Sequence, residues 1–119
     1  MILKTSMKQG EVWLINLDPT VGSEIKKTRP AIIVNDDALG KLPLKVIVPL
    51  TDWKESYSIA PWMVKIEPNS RNGLTKVSSA DCFQVRSVSQ ERFLKKMGNA
   101  IQIMDEIKKS LSLVLSIES

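Results

Sequence analysis

The stretch EVWLINLDPTVGSEIKKTRPAIIV, Glu11 to Val34, decides the fold. It opens on a β-branched and aromatic run, EVWLINL (11–17), and closes on another, AIIV (31–34). Both runs are short and have the composition of strands. Between them lie Asp18-Pro19, Gly22 and Ser23, all turn formers. The same connection carries Glu24, Lys26, Lys27 and Arg29, so it is a charged loop joining two strands. Pro30 fits the first position of the second strand, where a missing N–H is tolerated. Loops held by a rigid scaffold often carry function. On composition alone, a solvated surface loop is the simpler account.

Downstream, 35–42 contains Asp36, Asp37 and Gly40, and reads either as one helical turn capped by Asn35 or Asp36 or as a loop. KVIVPL (45–50) is a third strand, in which Pro49 predicts an edge or a bulge. A long loop, 51–61, holds Trp53 and Tyr57. A short strand follows at 62–66, then a tight turn at Asn72-Gly73. Residues 76–88 are two short strands or one bent strand. Ser89 caps a short helix that Gly98-Asn99 ends. Ile101, Met104, Ile107, Leu111 and Val114 recur at spacings of three and four, one face of a C-terminal helix. Leu111, Leu113, Leu115 and Ile117 also alternate, so the last turn has a strand-like alternative. Many short strands followed by a helix describe a compact β barrel or an α+β domain.

A chain of 119 residues is the size of one domain, and 1–119 is read as one. Met7 could itself start the chain, which makes 1–6 a dispensable extension. The hydrophobic share of 43% is enough for a core that needs neither disulfide nor metal. Cys82 is the single cysteine, so no internal disulfide can form. The N-terminal apolar segment is too short for a signal peptide. No apolar run reaches the ~20 residues of a membrane span, and a cytoplasmic protein is expected. The net charge of +4 suits a nucleic acid or an acidic protein partner. The sequence contains no histidine. That excludes the His-pair route to RNA cleavage, His-assisted Ser or Cys hydrolases and most catalytic zinc sites.

Arg29 and Thr51 each stand at an end of a core strand beside a loop. If those strands are antiparallel neighbours, the start of one lies beside the end of the other. A guanidinium and a hydroxyl would then share one end of the sheet. Arginine offers permanently charged, bidentate donors to a phosphate, and threonine adds a positioned hydroxyl.

The block GEVWLINLDPTVGSEIKKTRPAIIV (10–34), followed by VIVPLT (46–51), resembles the MazF/PemK family, toxins of bacterial type II toxin–antitoxin systems. FQVRSVSQERF (83–93) is similar to a further family segment. Together these cover the chain from about Met7 into the C-terminal helix. The resemblance implies a mainly β, SH3-like barrel with a C-terminal helix and one or two short helices. It implies a homodimer that cuts single-stranded RNA without a metal or cofactor, using the RNA's own 2′-OH and leaving a 2′,3′-cyclic phosphate and a 5′-OH. It places the catalytic pair on Arg29 and Thr51 and implies a cognate antitoxin, whose acidic segment would cover Arg29 and the 18–29 loop. Phe83 departs from the pattern, since this position is often acidic in the family. Ser89 replaces a common Asp, and both cap helices.

Around the catalytic pair, Glu24 either orients Arg29 through an ion pair or is an ordinary exposed carboxylate. Lys26 and Lys27 are phosphate-attracting charges or part of a solvated loop. Trp53 and Tyr57 are candidates for stacking on splayed bases, although Trp53 can equally fold back onto the barrel. Gln84 and Arg86 line an RNA groove or bond along the sheet surface. Trp13 and Cys82 belong to the core. The expected function is therefore a sequence-specific, metal-independent endoribonuclease toxin acting on single-stranded RNA, chiefly mRNA. Two alternatives are a gyrase-binding toxin of the same fold and a non-catalytic RNA-binding module. The first relies on a Trp-Gly-Ile C-terminus, whereas this chain ends Ser-Ile-Glu-Ser. The second would bind RNA with strong salt dependence and release no fragments.

Overall fold

The computed structural model describes residues 7–39 and 42–117; the expected extension at 1–6 lies outside them. The chain is mainly β, as the resemblance implies. Its strands are β1 (Glu11–Asn16), β2 (Thr28–Ile33), β3 (Leu44–Asp52), β4 (Met63–Ile66), β5 (Ser78–Asp81), β6 (Arg86–Ser89) and β7 (Phe93–Asn99), followed by the helix α1 (Met104–Leu115). They form one antiparallel sheet in the order β4-β5-β3-β2-β1-β7, with β6 also paired to β3.

The continuous apolar runs have a simple cause. Each side of the sheet faces a core, so neighbouring residues of one strand bury in opposite directions. Ile32, Val48 and Leu50 join one core, which α1 covers with Met104 and Ile107. Ala31, Ile33 and Ile47 join the other, with Phe93 and Leu17. Ile107 is fully buried, which stabilises the docked helix by about 2–3 kcal/mol. The buried Ser110 hydroxyl donates to Pro61 C=O at 2.8 Å. The helix closes with Ser116 left-handed at φ 57° and Ile117 N–H bonded to Ser112 C=O. It therefore continues through the alternating residues up to Leu115. Ile101 lies in a preceding 3-10 turn and is exposed, off the expected apolar face.

Four expectations are corrected. β2 starts at Thr28, so Arg29 is a strand residue paired with Ile15. β3 runs on to Asp52, so Thr51 is also in a strand, and the 51–61 loop shrinks to a connection around a 3-10 turn, Glu55–Ile59. Pro49 sits in the central strand, neither at an edge nor at a bulge. The ladder leaves room for it: β6 pairing ends at Ile47↔Arg86 and β5 pairing begins at Leu50↔Ala80. Val46 turns its N–H and C=O toward the β2 side, so alternation aims the Pro49 nitrogen into that gap. Finally, the helix after Ser89 is a single 3-10 turn, Gln90–Arg92, and 93–99 is a strand. The Ser89 cap itself is present, its hydroxyl accepting from Glu91 N–H. A strand wins beyond it because β1 needs a partner on its free edge and Phe93 fills the second core.

Asn72-Gly73 is a turn with Gly73 at φ +70°, but it lies within an 11-residue connection, 67–77, rather than a two-residue hairpin. Asn72 is buried and holds this connection together. It accepts from Asn69 and Leu74 N–H and donates to Glu67 C=O. The connection lies against β7 at two glycines. A Cβ on Gly98 would stand 2.0 Å from Arg71 C=O oxygen, and one on Gly73 would stand 2.2 Å from that of Met97. Asn99 N–H bonds to Arg71 C=O at 2.9 Å across the same contact.

Candidate active site

β2 and β3 are antiparallel neighbours with Ala31 opposite Pro49. Two residues further along each strand, this register brings Arg29 to the level of Thr51. Both line one open cleft of about 230 Å³. Leu74, Thr75 and Lys76 from the 67–77 connection and Met97 from β7 complete its wall. Arg29 and Thr51 are half-buried. Among the described residues, neither side chain makes a hydrogen bond or an ion pair, and the ion pairs are Lys65–Glu67, Lys76–Asp52 and Lys96–Glu11. A guanidinium and a hydroxyl, both with free donors in one cleft, suit a phosphate group.

Glu24 does not pair with Arg29. Its Oε1 accepts from Val21 N–H at 2.6 Å, so the carboxylate closes a turn in its own loop. Lys26 and Lys27 are exposed. Lys27 is left-handed at φ 69°, and its backbone closes the neck of the loop. Its C=O accepts from Leu17 N–H at 2.9 Å and its N–H donates to Asp18 Oδ1 at 3.1 Å.

Gln84 and Arg86, expected either in an RNA groove or on the sheet surface, both fasten this loop. Gln84 Oε1 accepts from Ile25 N–H at 2.6 Å, and its Nε2 donates to Ser23 C=O and to Asp81 Oδ2. Arg86 Nη1 donates to Leu17 C=O. Arg92, which sequence reasoning did not single out, does the same work, donating to the carbonyls of Asn16 and Asp18. The only sequence signal for Arg92 was its place in the 83–93 block. Burial raises the Asp81 carboxyl from its ordinary value, opposed by donors from Phe83 and Gln84. Replacing Gln84 by Ala should free the Ile25 amide. Losing that bond costs roughly 1 kcal/mol, so hydrogen exchange at Ile25 should speed up by about fivefold while the β1 amides keep their rates.

Trp53 is half-buried, with its Nε1 on Glu55, Tyr57 edge-on at 5.9 Å and the Lys65 ammonium 5.1 Å from its ring centre. Lys65 occupies one ring face. Trp13 is half-buried, edge-on to Phe93 at 5.5 Å. Phe83 is 68% exposed and stands edge-on to Trp62, 6.3 Å between centres. Cys82 is buried, and burial pushes its thiol up, with the Ser110 hydroxyl opposing and the Asp81 charge adding to the rise. It is a core residue without an activating partner.

A family model described as the PemK-like, MazF-like toxin of type II toxin–antitoxin systems matches residues 8–115. Endoribonuclease PemK of Escherichia coli is 32% identical over 116 residues, covering 95% of this chain and 85% of that protein. Among solved structures, MazF of Deinococcus radiodurans superposes with a TM-score of 0.76 at 23% identity, covering 92% of this chain and 96% of that one. A mycobacterial endoribonuclease in complex with its cognate antitoxin superposes with a TM-score of 0.72 at 19% identity, covering 94% and 97%.

Proposed function

Because this chain belongs to the PemK-like, MazF-like toxin family of type II toxin–antitoxin systems, we propose that it is an endoribonuclease toxin that cuts single-stranded RNA in the cleft between β2 and β3. The observation that supports this cleft is the joint exposure of the Arg29 and Thr51 side chains in it, both without protein partners among the described residues. The nucleophile is the RNA's own 2′-OH, so the reaction needs no metal. Attack on the adjacent phosphorus forms the 2′,3′-cyclic phosphate and releases the 5′-OH. Negative charge grows on the non-bridging phosphoryl oxygens as the reaction proceeds. Arg29 faces it with fixed, fully charged donors, which stabilise the transition state more than the ground state. Thr51 holds the phosphate in line for attack.

Lys26, Lys27, Trp53 and Tyr57 extend the RNA path, the lysines through phosphate attraction and the aromatic rings through base stacking. Glu24 supports the site by shaping the loop that leads into Arg29. Gln84 and Arg86 contribute by fastening that loop. The active form is a homodimer acting in the cytoplasm. An antitoxin partner, like the one bound to the mycobacterial neighbour, lays an acidic segment over the exposed Lys26 and Lys27 and hides Arg29. Among the described residues, no helix is long and apolar enough to cross a membrane.

The test is incubation with a long mixed-sequence RNA in EDTA, followed by primer extension. Discrete cuts ending in 5′-OH are expected. Intact RNA, or ends carrying 5′-phosphate, would refute the proposal.

A further inference from the structure

The cleft holding Arg29 and Thr51 contains a second cation. Lys76 lines it from the 67–77 connection. Its ammonium lies 3.0 Å from Asp52 Oδ1 and donates to Oδ2 at 3.2 Å. Asp52 is the next residue after Thr51 on β3. The backbone ties the same two segments together, through the Asp52↔Ser78 pair and the Trp53 N–H to Val77 C=O bond of 3.2 Å. Lys76 is thus fixed at two levels to the strand end that bears Thr51. The other two ion pairs among the described residues involve no residue that lines the cleft.

We infer that Lys76 gives the proton to the departing 5′-oxygen, with Asp52 as the residue that positions it. The inference rests on the RNA-cleavage function proposed above. In the step, the 2′-O–P bond forms as the P–O5′ bond breaks. The 2′-hydroxyl proton passes to solvent water, and one proton of the Lys76 ammonium passes to O5′. The resulting amine takes a proton back from water, so the chain ends the turnover unchanged.

Chemistry selects Lys76 from what the cleft offers. Its titratable side chains, among the described residues, are Arg29, Asp52 and Lys76. An ionised carboxylate has no proton to give. An alkylammonium releases a proton more readily than a guanidinium, by roughly two powers of ten or more. Labour therefore divides: Arg29 keeps its charge on the non-bridging oxygens while Lys76 supplies the mobile proton. A lysine side chain carries about 2 kcal/mol of rotamer entropy, and the Asp52 carboxylate restrains that freedom before RNA arrives. At 67% side-chain exposure, Lys76 is also open to rapid reprotonation from solvent.

Two RNA oligonucleotides spanning a mapped cut test this in single turnover. One has the ordinary 5′-oxygen at the scissile bond and the other a bridging 5′-sulfur, which leaves as a thiolate without needing a proton. Lys76→Ala should slow the oxygen substrate by about 10²-fold or more and the sulfur substrate by no more than about threefold. Lys76→Arg, which keeps the charge, should stay slow on oxygen and near native on sulfur. Asp52→Asn should show the same pattern at smaller size. Thermal melts report whether each variant is folded. Equal slowing on both substrates, or none on either, would overturn the assignment. An oxygen substrate left uncut by the native chain would remove the cleavage function itself, and this inference with it.

Discussion

Arg29→Ala is expected to lower single-turnover RNA cleavage by about 10³-fold while leaving the protein folded. The size follows from what the guanidinium does. Removing one preorganised donor from a developing oxyanion typically costs about 10²–10³ in rate, and here the lost donor is also a full charge. Stability should move by less than about 0.5 kcal/mol, because Arg29 is half-buried and its side chain has no protein partner among the described residues. Arg29→Lys keeps the charge but loses the planar fork, so it should fall between native and alanine. Urea denaturation of each variant beside the rate measurement separates the two effects. A variant that cuts at the native rate would show that the chemistry lies elsewhere on the molecule.

The largest effect on stability is expected from a single added methyl. Gly98→Ala places a Cβ 2.0 Å from Arg71 carbonyl oxygen, with the backbone carbons of Asn72 and Arg71 at 2.9 and 3.0 Å. These are main-chain atoms of a connection held by the Asn72 network, so they cannot yield as a side chain would. Overpacking of this kind costs about 3 kcal/mol or more. Against a total stability of roughly 5–15 kcal/mol, a fall in Tm on the order of 10 °C should follow. Gly22→Ala is the matched control. Gly22 has φ +59° but nothing within 4 Å of its would-be Cβ, so only backbone strain of about 1–2 kcal/mol applies. If the two variants melted together, the contact at Gly98 would not be the cause.

Much of the barrel was legible. AIIV and KVIVPL could be read as strands because both faces of each strand bury apolar side chains. Their antiparallel pairing is only a condition in the sequence; the register with Ala31 opposite Pro49 meets it and puts Arg29 and Thr51 at one end. The positions of Pro49 and of β7 were not legible. Pro49 is allowed by a gap between two partner strands, a property of the assembled sheet. β7 reads LKKMGN after Phe93, with too few apolar residues to announce a strand, and it exists because β1 offers it an edge. The loop fasteners were hidden for a related reason. Gln84, Arg86 and Arg92 bond to backbone atoms 59 to 76 positions away, and backbone donors and acceptors leave no mark in sequence. Lys76 was hidden because nothing in the order of residues links it to Asp52, 24 positions earlier.

The closed neck of the 18–27 loop has a consequence for how such a protein can change. Arg29 is held by its ladder to β1, and the Leu17–Lys27 closure stands between it and the loop's tip. A tip of another length or composition can be grafted between Asp18 and Lys27 without passing strain into the strand. If the proposed RNA-cleaving role holds, selectivity for different RNAs would be open to evolution, or to an engineer, by exchanging one short cassette while the Arg29 end of the strand stays as it is.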